Sequence, residues 1–250
     1  MGLPEHCIVP DWPAPAGVKA LQTTRHGGIS AAPYDTLNLG LHVGDDPVRV
    51  NRNRQLLSQL MPSEPVWLEQ VHGTVVADAD AAACRVVADA SIARKRGSVC
   101  VVMTADCLPV LLCDEDGTVV GAAHAGWKGL VAGVIEATVQ EMGVAPQKLL
   151  AWLGPTIGPH AFEVGEDVRA AFMAHDAKAA EAFVPHGAEG KYHADICMLA
   201  RRRLNALGIT RIHGGTHCTF HQKDKFFSYR RDGVTGRMGT FIWLADGAGA

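Results

Sequence analysis

One thiol and two imidazoles in this sequence have the residue types to hold a metal ion or to form a nucleophile with its base. Cys107 lies in the segment TADC, His124 in AHAGW and His72 in EQVHG. Thiolate and imidazole ligands suit zinc and disfavour magnesium or calcium, and a catalytic zinc keeps three protein ligands with a fourth position open. The set therefore fits a catalytic zinc site, and Cys107 with His124 also fits a cysteine nucleophile beside a general base.

A predicted β-hairpin brings Cys107 close to His124. Two β-rich runs, LPVLLC and TVVGAAHA, flank the turn-like DEDG, a pattern typical of a hairpin. If pairing is symmetric about DEDG, Cys107 faces His124, and directly paired residues have Cβ atoms about 4.5–5.5 Å apart. If the turn is centred on Asp116-Gly117 instead, the partner of Cys107 is Gly126, because register decides every pair.

Strands and helices alternate along the chain around this hairpin. The predicted helices cover 48–61, 130–142, 166–176 and 195–207, and the predicted strands cover 66–76 (interrupted at Gly73), 98–104, 108–113, 118–125, 149–154 and two runs around the Gly-rich turn of FFSYRRDGVTGRMGTFIWL. The hairpin implies antiparallel pairing, which favours an α+β or mixed layered sandwich over a doubly wound parallel sheet. No repeat or linker divides the chain, so we expect a single domain over 1–250 with an irregular segment at 1–18.

Composition excludes several classes of protein. The 250 residues carry Lys+Arg 23 and Asp+Glu 26, a net charge of −3, which argues against a basic nucleic-acid binder. Seven cysteines without a CxxC pair argue against a disulfide framework. No signal peptide and no apolar run of about 20 residues is found, so we expect a cytoplasmic protein that is not inserted in a membrane. GxGxxG, GxxxxGK[ST], HExxH and GxSxG are all absent.

Further side chains are candidates for chemistry or for binding a substrate. Asp106 adjoins Cys107 but points away from it if the strand is regular, which leaves a catalytic and a structural interpretation open. Arg230 follows FFSY, as in a pocket that stacks a flat base, although Phe226 and Phe227 are core residues by default. The candidate substrate- or phosphate-binding residues are His26, Asn38, His42, Arg54, Lys128 and Arg230.

The order of the motifs resembles one family closely. HGGIS, LNLGLHVGDDP, VRVNRNRQLL, WLEQVHG, TADCLPVLL, GAAHAGWKGL, LGPTIGPHAFEVGEDV and FFSYRRDGVTGRM follow one another from about residue 20 to 243. This succession resembles the YfiH-like family, formerly labelled as multicopper polyphenol oxidases or laccase-domain proteins. The resemblance implies a layered α/β/β/α sandwich. It also implies phosphorolysis of adenosine, inosine, guanosine and methylthioadenosine, with deamination of adenosine at the same site.

The resemblance transfers a metal motif onto the three residues named above. The family's QVHG histidine matches His72, its TADC cysteine matches Cys107 and its AHAGW histidine matches His124, so we expect Zn²⁺ there in preference to copper. Asp106 and His42 are the candidates for a general acid. The family commonly has GWRG where this chain has Lys128, which replaces a bidentate phosphate ligand by a point charge. Cysteines that often follow the family's IGP motif are also absent here.

Two other functions remain open from the sequence. One is a cysteine amidohydrolase with Cys107 as nucleophile and His124 as base, a class that includes editing of cell-wall precursors. The other is a non-enzymatic zinc-binding module. A structural zinc site normally has four protein ligands and no open position, whereas this set has three. Purine nucleosides and phosphate are the expected partners of the leading hypothesis, in a monomer or a homodimer.

Overall fold

The computed structural model describes residues 3–81 and 86–245, and apolar runs in these residues form the central strands. Val99–Thr104 and Leu108–Asp114 are buried at every position, as expected for strands covered on both faces. The strands are β1 (Cys7–Ile8), β2 (Val18–Thr23), β3 (Leu68–Glu69), β4 (Val76–Asp78), β5 (Val86–Val87), β6 (Ala90–Ala93), β7 (Val99–Thr104), β8 (Leu108–Asp114), β9 (Val120–Ala125), β10 (Leu149–Leu153), β11 (Glu163–Gly165), β12 (Phe183–Pro185), β13 (Lys191–Ala194), β14 (Arg211–Gly214) and β15 (Met238–Leu244).

The helices cover the outer faces of the sheets. They are α1 (Pro47–Ser58), α2 (Trp127–Ala132), α3 (Val134–Met142), α4 (Glu166–Met173), α5 (Ile196–Leu207) and α6 (Tyr229–Asp232), with 3₁₀ turns at Leu3–His6, Pro146–Lys148 and Ala177–Ala182. Helices α3 and α5 end where the sequence predicts, whereas α1 and α4 each end three residues earlier than predicted. The single helix predicted over 130–142 is wrong, because Gly133 takes a φ of +101° and separates α2 from α3. None of the helices in the described part of the chain has the length and apolar character that a bilayer span requires.

Two large sheets carry most of the strands. One is antiparallel with the order β1-β2-β15-β7, and the other has the order β14-β10-β8-β9-β6-β4. In the second sheet the outer pairs β10–β14 and β4–β6 are parallel and the inner pairs are antiparallel. Smaller sheets join β11-β13-β12 and β3-β5.

Three apolar layers hold these elements together. Leu111 of β8 and Ile242 of β15 meet between the two large sheets. Ile135 of α3 and Leu199 of α5 pack on the outer face of the six-stranded sheet. Leu57 of α1 packs on the outer face of the four-stranded sheet. The predicted α/β/β/α sandwich with mixed and antiparallel strands is therefore confirmed.

The hairpin forms, but the symmetric register about DEDG is wrong. Pro109 pairs with His124 and Cys113 pairs with Val120, the register in which the turn is centred on Asp116-Gly117. The Asp114 carboxylate accepts hydrogen bonds from the backbone N–H groups of Thr118 and Val119. Gly117 takes a φ of +65°, so these two features together place the turn.

Three other segments differ from their predictions. The strand predicted over 66–76 is replaced by β3 and β4, which belong to different sheets. The first half of FFSYRRDG is not a strand, because the Ser228 side chain accepts a hydrogen bond from Arg231 N–H and begins α6. The segment predicted to be irregular over 1–18 contains β1, in which Cys7 pairs with Thr23 of β2.

Candidate metal centre and active-site cleft

The three predicted ligands meet at one place. One ligand atom from each of His72, Cys107 and His124 lies within 4.8 Å of the others. Cys107 Sγ is 3.7 Å from His72 Nε2, and the two imidazole centroids are 4.7 Å apart. His124 is buried whereas His72 is exposed, so the cluster is open to solvent on one side.

Each ligand reaches the cluster from a different kind of element. His124 lies within β9, whereas His72 lies in the loop between β3 and β4 with a φ of +61°. Cys107 immediately precedes β8 and follows Asp106, whose φ is +94°. Gly126 leaves the space in which these side chains meet. A Cβ atom there would lie 2.8 Å from His72 Cδ2 and 2.9 Å from Cys107 Sγ.

A fully buried carboxylate, Asp89, organises two of the ligands. Its Oδ1 lies 2.8 Å from His124 Nδ1 and accepts a hydrogen bond from His72 N–H at 2.9 Å. Its Oδ2 accepts hydrogen bonds from Val71 N–H and Gly73 N–H. A carboxylate on the second nitrogen of a ligating imidazole fixes the ring and its tautomer. Asp89 therefore directs His124 Nε2 toward the cluster and shapes the loop that carries His72.

The charges of the cluster favour a metal-binding thiolate. Burial raises the pKa of Cys107, but His124 and then His72 favour the thiolate more strongly, and the pKa falls to about 6. Burial lowers the pKa of His124, but Cys107 and Asp89 raise it to about 9. By contrast, burial raises the pKa of Cys100 and Cys113 to about 12. The thiolate is the form of cysteine that binds metals and attacks electrophiles.

Asp106 connects the Cys107 turn to three other segments. Its carboxylate accepts hydrogen bonds from Thr219 Oγ1, Ser228 Oγ and Arg230 N–H at 2.6, 3.0 and 2.7 Å. Its backbone oxygen accepts one from Thr156 Oγ1. This geometry favours a positioning role for Asp106, and its predicted catalytic role stays a prediction.

Two cavities meet at Cys107. One, of about 190 Å³, has largely apolar walls formed by residues that include Trp127, Phe162 and Ile196. The other, of about 360 Å³, contains all three ligands together with His42 and Arg237. Both cavities share Ala105, Cys107 and Tyr229. The cluster thus lies where these two cavities join. We call the first the apolar cavity, although Arg230 is at its edge, and the second the cationic cavity, because it contains the Arg237 guanidinium.

Four of the six predicted substrate residues lie in or beside this cleft. His42 lines the cationic cavity, and Arg54 lines an adjoining cavity that also includes His42. Arg230 lines the apolar cavity, and its Nη1 donates to the Glu163 carbonyl. The Lys128 ammonium lies 5.7 Å from the ring centroid of Trp127. Loss of solvation, followed by the charges of Arg237 and Arg54, lowers the pKa of His42.

The other two predicted substrate residues, His26 and Asn38, make hydrogen bonds to the backbone and do not line the two cavities. His26 hydrogen-bonds the Asp224 carbonyl and does not line either cavity. Asn38 is buried and accepts hydrogen bonds from Gly40 N–H and Arg237 N–H. Asn38 thus holds the backbone of a cleft residue, and substrate contact by either side chain stays a prediction.

Sequence reasoning did not find Asp89, Gln70 or Arg237. Gln70 makes two hydrogen bonds to the backbone of Met103. Its Nε2 donates to Met103 O, and its Oε1 accepts from Met103 N–H. Arg237 Nη1 donates to the carbonyls of Thr235 and Gly236, which fixes its guanidinium beside the cluster. Gln70 lies two residues before His72 in WLEQVHG, so the motif offered a signal for it. Arg237 also lies in a quoted motif, FFSYRRDGVTGRM, which offered a signal for it, whereas Asp89 lies outside all of the quoted motifs.

The donor set fits a transition metal. Two imidazoles and one thiolate suit zinc with an open position, and the same donors also occur around copper. Among residues 3–81 and 86–245, this is the one group of three or more such ligands that is close enough to hold an ion. The geometry therefore agrees with a mononuclear centre.

Comparison with known proteins identifies the family. The family model described as "Multi-copper polyphenol oxidoreductase laccase" matches residues 19–245. The chain belongs to this family. It is 57% identical over 242 residues to "Purine nucleoside phosphorylase YfiH" of Escherichia coli, covering 95% of this chain and 98% of that protein. It is 55% identical over 240 residues to "Purine nucleoside phosphorylase PA4543" of Pseudomonas aeruginosa, covering 96% and 98%.

Two solved structures have the same fold as this chain. The crystal structure of Neisseria meningitidis protein NMB0706, of the DUF152 family, is 50% identical to this chain with a TM-score of 0.92. The match covers 96% of this chain and all of that one. YlmD from Geobacillus stearothermophilus is 31% identical with a TM-score of 0.80 over 92% of this chain and 93% of that one. The YfiH-like resemblance read from the motifs is therefore confirmed.

Proposed function

We propose that this chain is a zinc-dependent purine nucleoside phosphorylase that also deaminates adenosine. The observation that carries the proposal is the meeting of His72, Cys107 and His124 between an apolar and a cationic cavity. The names of the two bacterial relatives, both purine nucleoside phosphorylases, support the same activity. Adenosine, inosine, guanosine and methylthioadenosine are the proposed substrates, together with phosphate, in a cytoplasmic monomer or homodimer.

The two cavities suit the two parts of the reaction. The apolar cavity offers the side chains of Trp127 and Phe162 to a flat, hydrophobic base. The cationic cavity offers the guanidinium of Arg237 to phosphate, for which a planar fork of N–H donors is well matched. The ribose would then lie near Cys107, where the two cavities join.

Phosphorolysis requires mainly positioning. A phosphate oxygen forms a bond to the anomeric carbon while the bond from that carbon to the purine nitrogen breaks, and the electron pair leaves with the base. Holding both reactants in line lowers the barrier because the entropy of bringing them together is lost on binding. Arg237 would orient the phosphate, and the departing base would take a proton. His42 faces the cleft, whereas the Asp106 carboxylate already accepts hydrogen bonds from Thr219, Ser228 and Arg230. Because its lowered pKa leaves His42 neutral near pH 7, His42 would stabilise the departing base by a hydrogen bond, and the proton would come from water.

The three ligands fit zinc, which when bound supplies Lewis-acid activation of water, the chemistry that deamination of adenosine needs. His124 is held by Asp89 and is buried, so it would form the rigid side of the site. His72 is exposed and would close the site from the solvent side. The side chains of the apolar cavity would exclude bulk water from the base.

The test is a paired assay on protein loaded with one equivalent of zinc. Inosine with phosphate should give hypoxanthine and ribose 1-phosphate, and without phosphate it should give neither. Adenosine without phosphate should give inosine. His72→Ala and Cys107→Ser should lose both activities while keeping the circular dichroism of the parent. If the zinc-loaded parent turns over no purine nucleoside, the proposal is wrong.

A second candidate, a cysteine amidohydrolase, is favoured by one specific arrangement. Cys107, His124 and Asp89 have the order of a nucleophile, a base and an orienting carboxylate. Cell-wall precursors with misincorporated residues would be substrates of this activity. Zinc separates the candidates, because it would occupy Cys107 and inhibit an amidohydrolase, whereas it would activate deamination. Amidase activity that rises on chelation, without nucleoside turnover, would support the second candidate.

A further inference from the structure

Two thiols outside the metal cluster line one further cavity. Cys197, in the first turn of α5, and Cys218, in the segment between β14 and α6, both face a space of about 360 Å³. Neither thiol lines the two cavities around Cys107. Pro159 and Thr216 also line this space and are exposed, so molecules in solution can enter it.

Cys218 is the thiol of this pair that lies beside an imidazole. Its Sγ is 3.2 Å from His221 Nδ1. The backbone N–H of Gln222 donates to the Cys218 carbonyl, which closes one helical turn and sets residues three apart on the same side. The Gln222 side chain in turn accepts a hydrogen bond from Cys218 N–H at 3.1 Å. The fold therefore holds the thiol and the imidazole together.

The sulfur of Cys218 also accepts a hydrogen bond from a neighbouring segment. Gly158 N–H donates to Sγ at 3.2 Å. A Cβ atom at position 158 would lie 3.0 Å from this sulfur, so the close approach depends on glycine. Thr156 holds the two segments in register, because its carbonyl accepts a hydrogen bond from Thr219 N–H. An N–H group directed at the sulfur stabilises negative charge that develops there during a reaction.

Cys197 shares the cavity but has different surroundings. Burial, followed by the charge of Asp195, raises its pKa to about 12. Cys197 is therefore a neutral thiol near pH 7, whereas the thiolate is the form of cysteine that attacks electrophiles. The two thiols thus differ in chemistry although the same molecules reach both, and Cys197 serves as an internal control for Cys218.

Two opposite charges lie along the same cavity. Arg201 donates from Nη1 and Nη2 to the carbonyls of Ile212 and Gly214, which fixes its guanidinium at the wall. The Asp195 carboxylate begins α5 by accepting a hydrogen bond from Met198 N–H and lines the same space. A ligand that carries both a carboxylate and an ammonium group is complementary to this pair of charges.

We propose that Cys218 is a site of thiol–disulfide exchange with small amino-acid-like disulfides, such as glutathione disulfide. His221 accepts the thiol proton while Cys218 Sγ forms a bond to one sulfur of the disulfide. The bond between the two sulfurs of that disulfide breaks, and the second sulfur leaves with the electron pair and takes a proton from the imidazolium or from water. The small disulfide is the oxidant, the protein gains a mixed disulfide, and an excess of the reduced thiol reverses the reaction.

The site adjoins the active-site cleft without being part of it. Ile157 lines both this cavity and the apolar cavity. Thr219, the residue after Cys218, donates from its Oγ1 to the Asp106 carboxylate at 2.6 Å. A group bound to Cys218 therefore lies next to the segment that holds the turn before Cys107.

The test is to incubate the full, zinc-loaded chain with glutathione disulfide and to locate the adduct by peptide mass spectrometry. Cys218 should form the mixed disulfide, and Cys197 in the same cavity should not. His221→Ala should slow the reaction at Cys218 by about tenfold or more, because general-base assistance contributes at least this much. The matched control is His175→Ala, which removes an exposed histidine elsewhere and should leave the rate unchanged.

A second disulfide tests the class of partner. Uncharged hydroxyethyl disulfide has no groups for Arg201 and Asp195, so it should react more slowly at Cys218 than glutathione disulfide does. Each rate is first divided by the rate at Cys218 in the urea-unfolded chain, which removes the intrinsic difference between the two reagents. Equal normalised rates would refute the assignment of an amino-acid-like partner.

Two results would overturn the proposed site itself. One is a Cys218 that stays unmodified by either disulfide, and the other is a His221→Ala variant that reacts at the rate of the parent. Peptide mapping reports Cys218 separately from Cys107, and Cys107→Ser should give the same rate at Cys218. The outcome is therefore independent of whether the chain binds zinc or turns over nucleosides.

Discussion

Replacement of Asp89 by Asn is the sharpest perturbation of the proposed centre. Asp89→Asn keeps the size of a fully buried side chain but removes its charge and one of its two acceptor atoms. In the parent, Oδ1 accepts hydrogen bonds from His124 Nδ1 and from His72 N–H. Oδ2 accepts hydrogen bonds from Val71 N–H and Gly73 N–H. Either orientation of the new amide therefore leaves two of the four groups without their acceptor.

The size of the effect follows from these bonds. A buried donor that loses its acceptor costs about 1–3 kcal/mol, so we expect the free energy of unfolding to fall by about 3 kcal/mol. Loss of the carboxylate behind a ligating histidine lowers metal affinity by about 10–100-fold, which is about 1.4–2.7 kcal/mol. The two losses are separate quantities, because the first concerns folding and the second concerns zinc binding by folded protein.

A matched variant distinguishes the local effect from a general loss of stability. Asp114 is also a buried carboxylate, and it accepts hydrogen bonds from Thr118 N–H, Thr118 Oγ1 and Val119 N–H. It lies at the far end of β8, about 23 Å from Cys107 at about 3.3 Å per residue. Asp114→Asn should therefore be destabilised comparably while its zinc affinity stays within twofold of the parent.

The assay measures zinc dissociation constants by competition with a chromogenic chelator, on samples whose folded fraction is known from urea unfolding. The reasoning is refuted if folded Asp89→Asn binds zinc as tightly as the parent. It is also refuted if Asp114→Asn loses as much zinc affinity as Asp89→Asn, because the loss would then follow stability and not the contact with His124.

Three further predictions use other parts of the structure. Arg237→Lys should raise the KM for phosphate by about tenfold or more, since a hydrogen bond to a charged group contributes about 1.5–3 kcal/mol, and it should leave phosphate-independent deamination unchanged in the same assay. Leu111→Ala, between the two sheets, should lower the free energy of unfolding in urea by about 2–5 kcal/mol with unchanged zinc stoichiometry. Burial raises the pKa of Asp114, but hydrogen bonds from Thr118 and Val119 lower it overall from 3.8. The stability gap to Asp114→Asn should therefore be constant above about pH 5 and shrink as pH falls below 3.8.

Local patterns in the sequence predicted the central strands and several helix ends, whereas the order of layers and the set of three candidate metal ligands followed mainly from the resemblance to the YfiH-like family. Continuous apolar runs such as Val99–Thr104 identified buried strands, and Gly143 and Gly208 ended helices where left-handed caps were expected. The position of Asp89 could not be predicted in this way. The pairing of β6 with β9 brings His124 to it, and the pairing of β4 with β6 brings the loop at 71–73. No local pattern specifies either pairing.

The proximity of Cys107 to His124 was predicted correctly, although the hairpin register from which it was predicted is wrong. The structure explains how the two residues meet without being paired. In the observed ladder, the residue opposite His124 is Pro109, and Leu108 pairs with Ala125, so Cys107 precedes the paired strand. The ladder tolerates Pro109, which has no backbone N–H, because Pro109 and His124 form a pair without mutual hydrogen bonds. The Pro109 carbonyl faces away from β9 and accepts a hydrogen bond from Gly154 N–H, and the N–H of His124 donates to Asp89 O.

The thiol reaches the imidazole because the chain turns at Asp106, and not because the two residues are paired across a sheet. A positive φ at Asp106 redirects Cys107 toward the cluster, and hydrogen bonds from Thr219 and Ser228 hold that turn. Gly126 completes the arrangement, since a Cβ atom at this position would collide with Cys107 and His72. A ligand on a turn can be set independently of the ladder beside it. The fold therefore places the buried His124 through the sheet and the other two candidate ligands through two loops. Each loop is held by a buried carboxylate, Asp89 for the loop of His72 and Asp106 for the turn before Cys107.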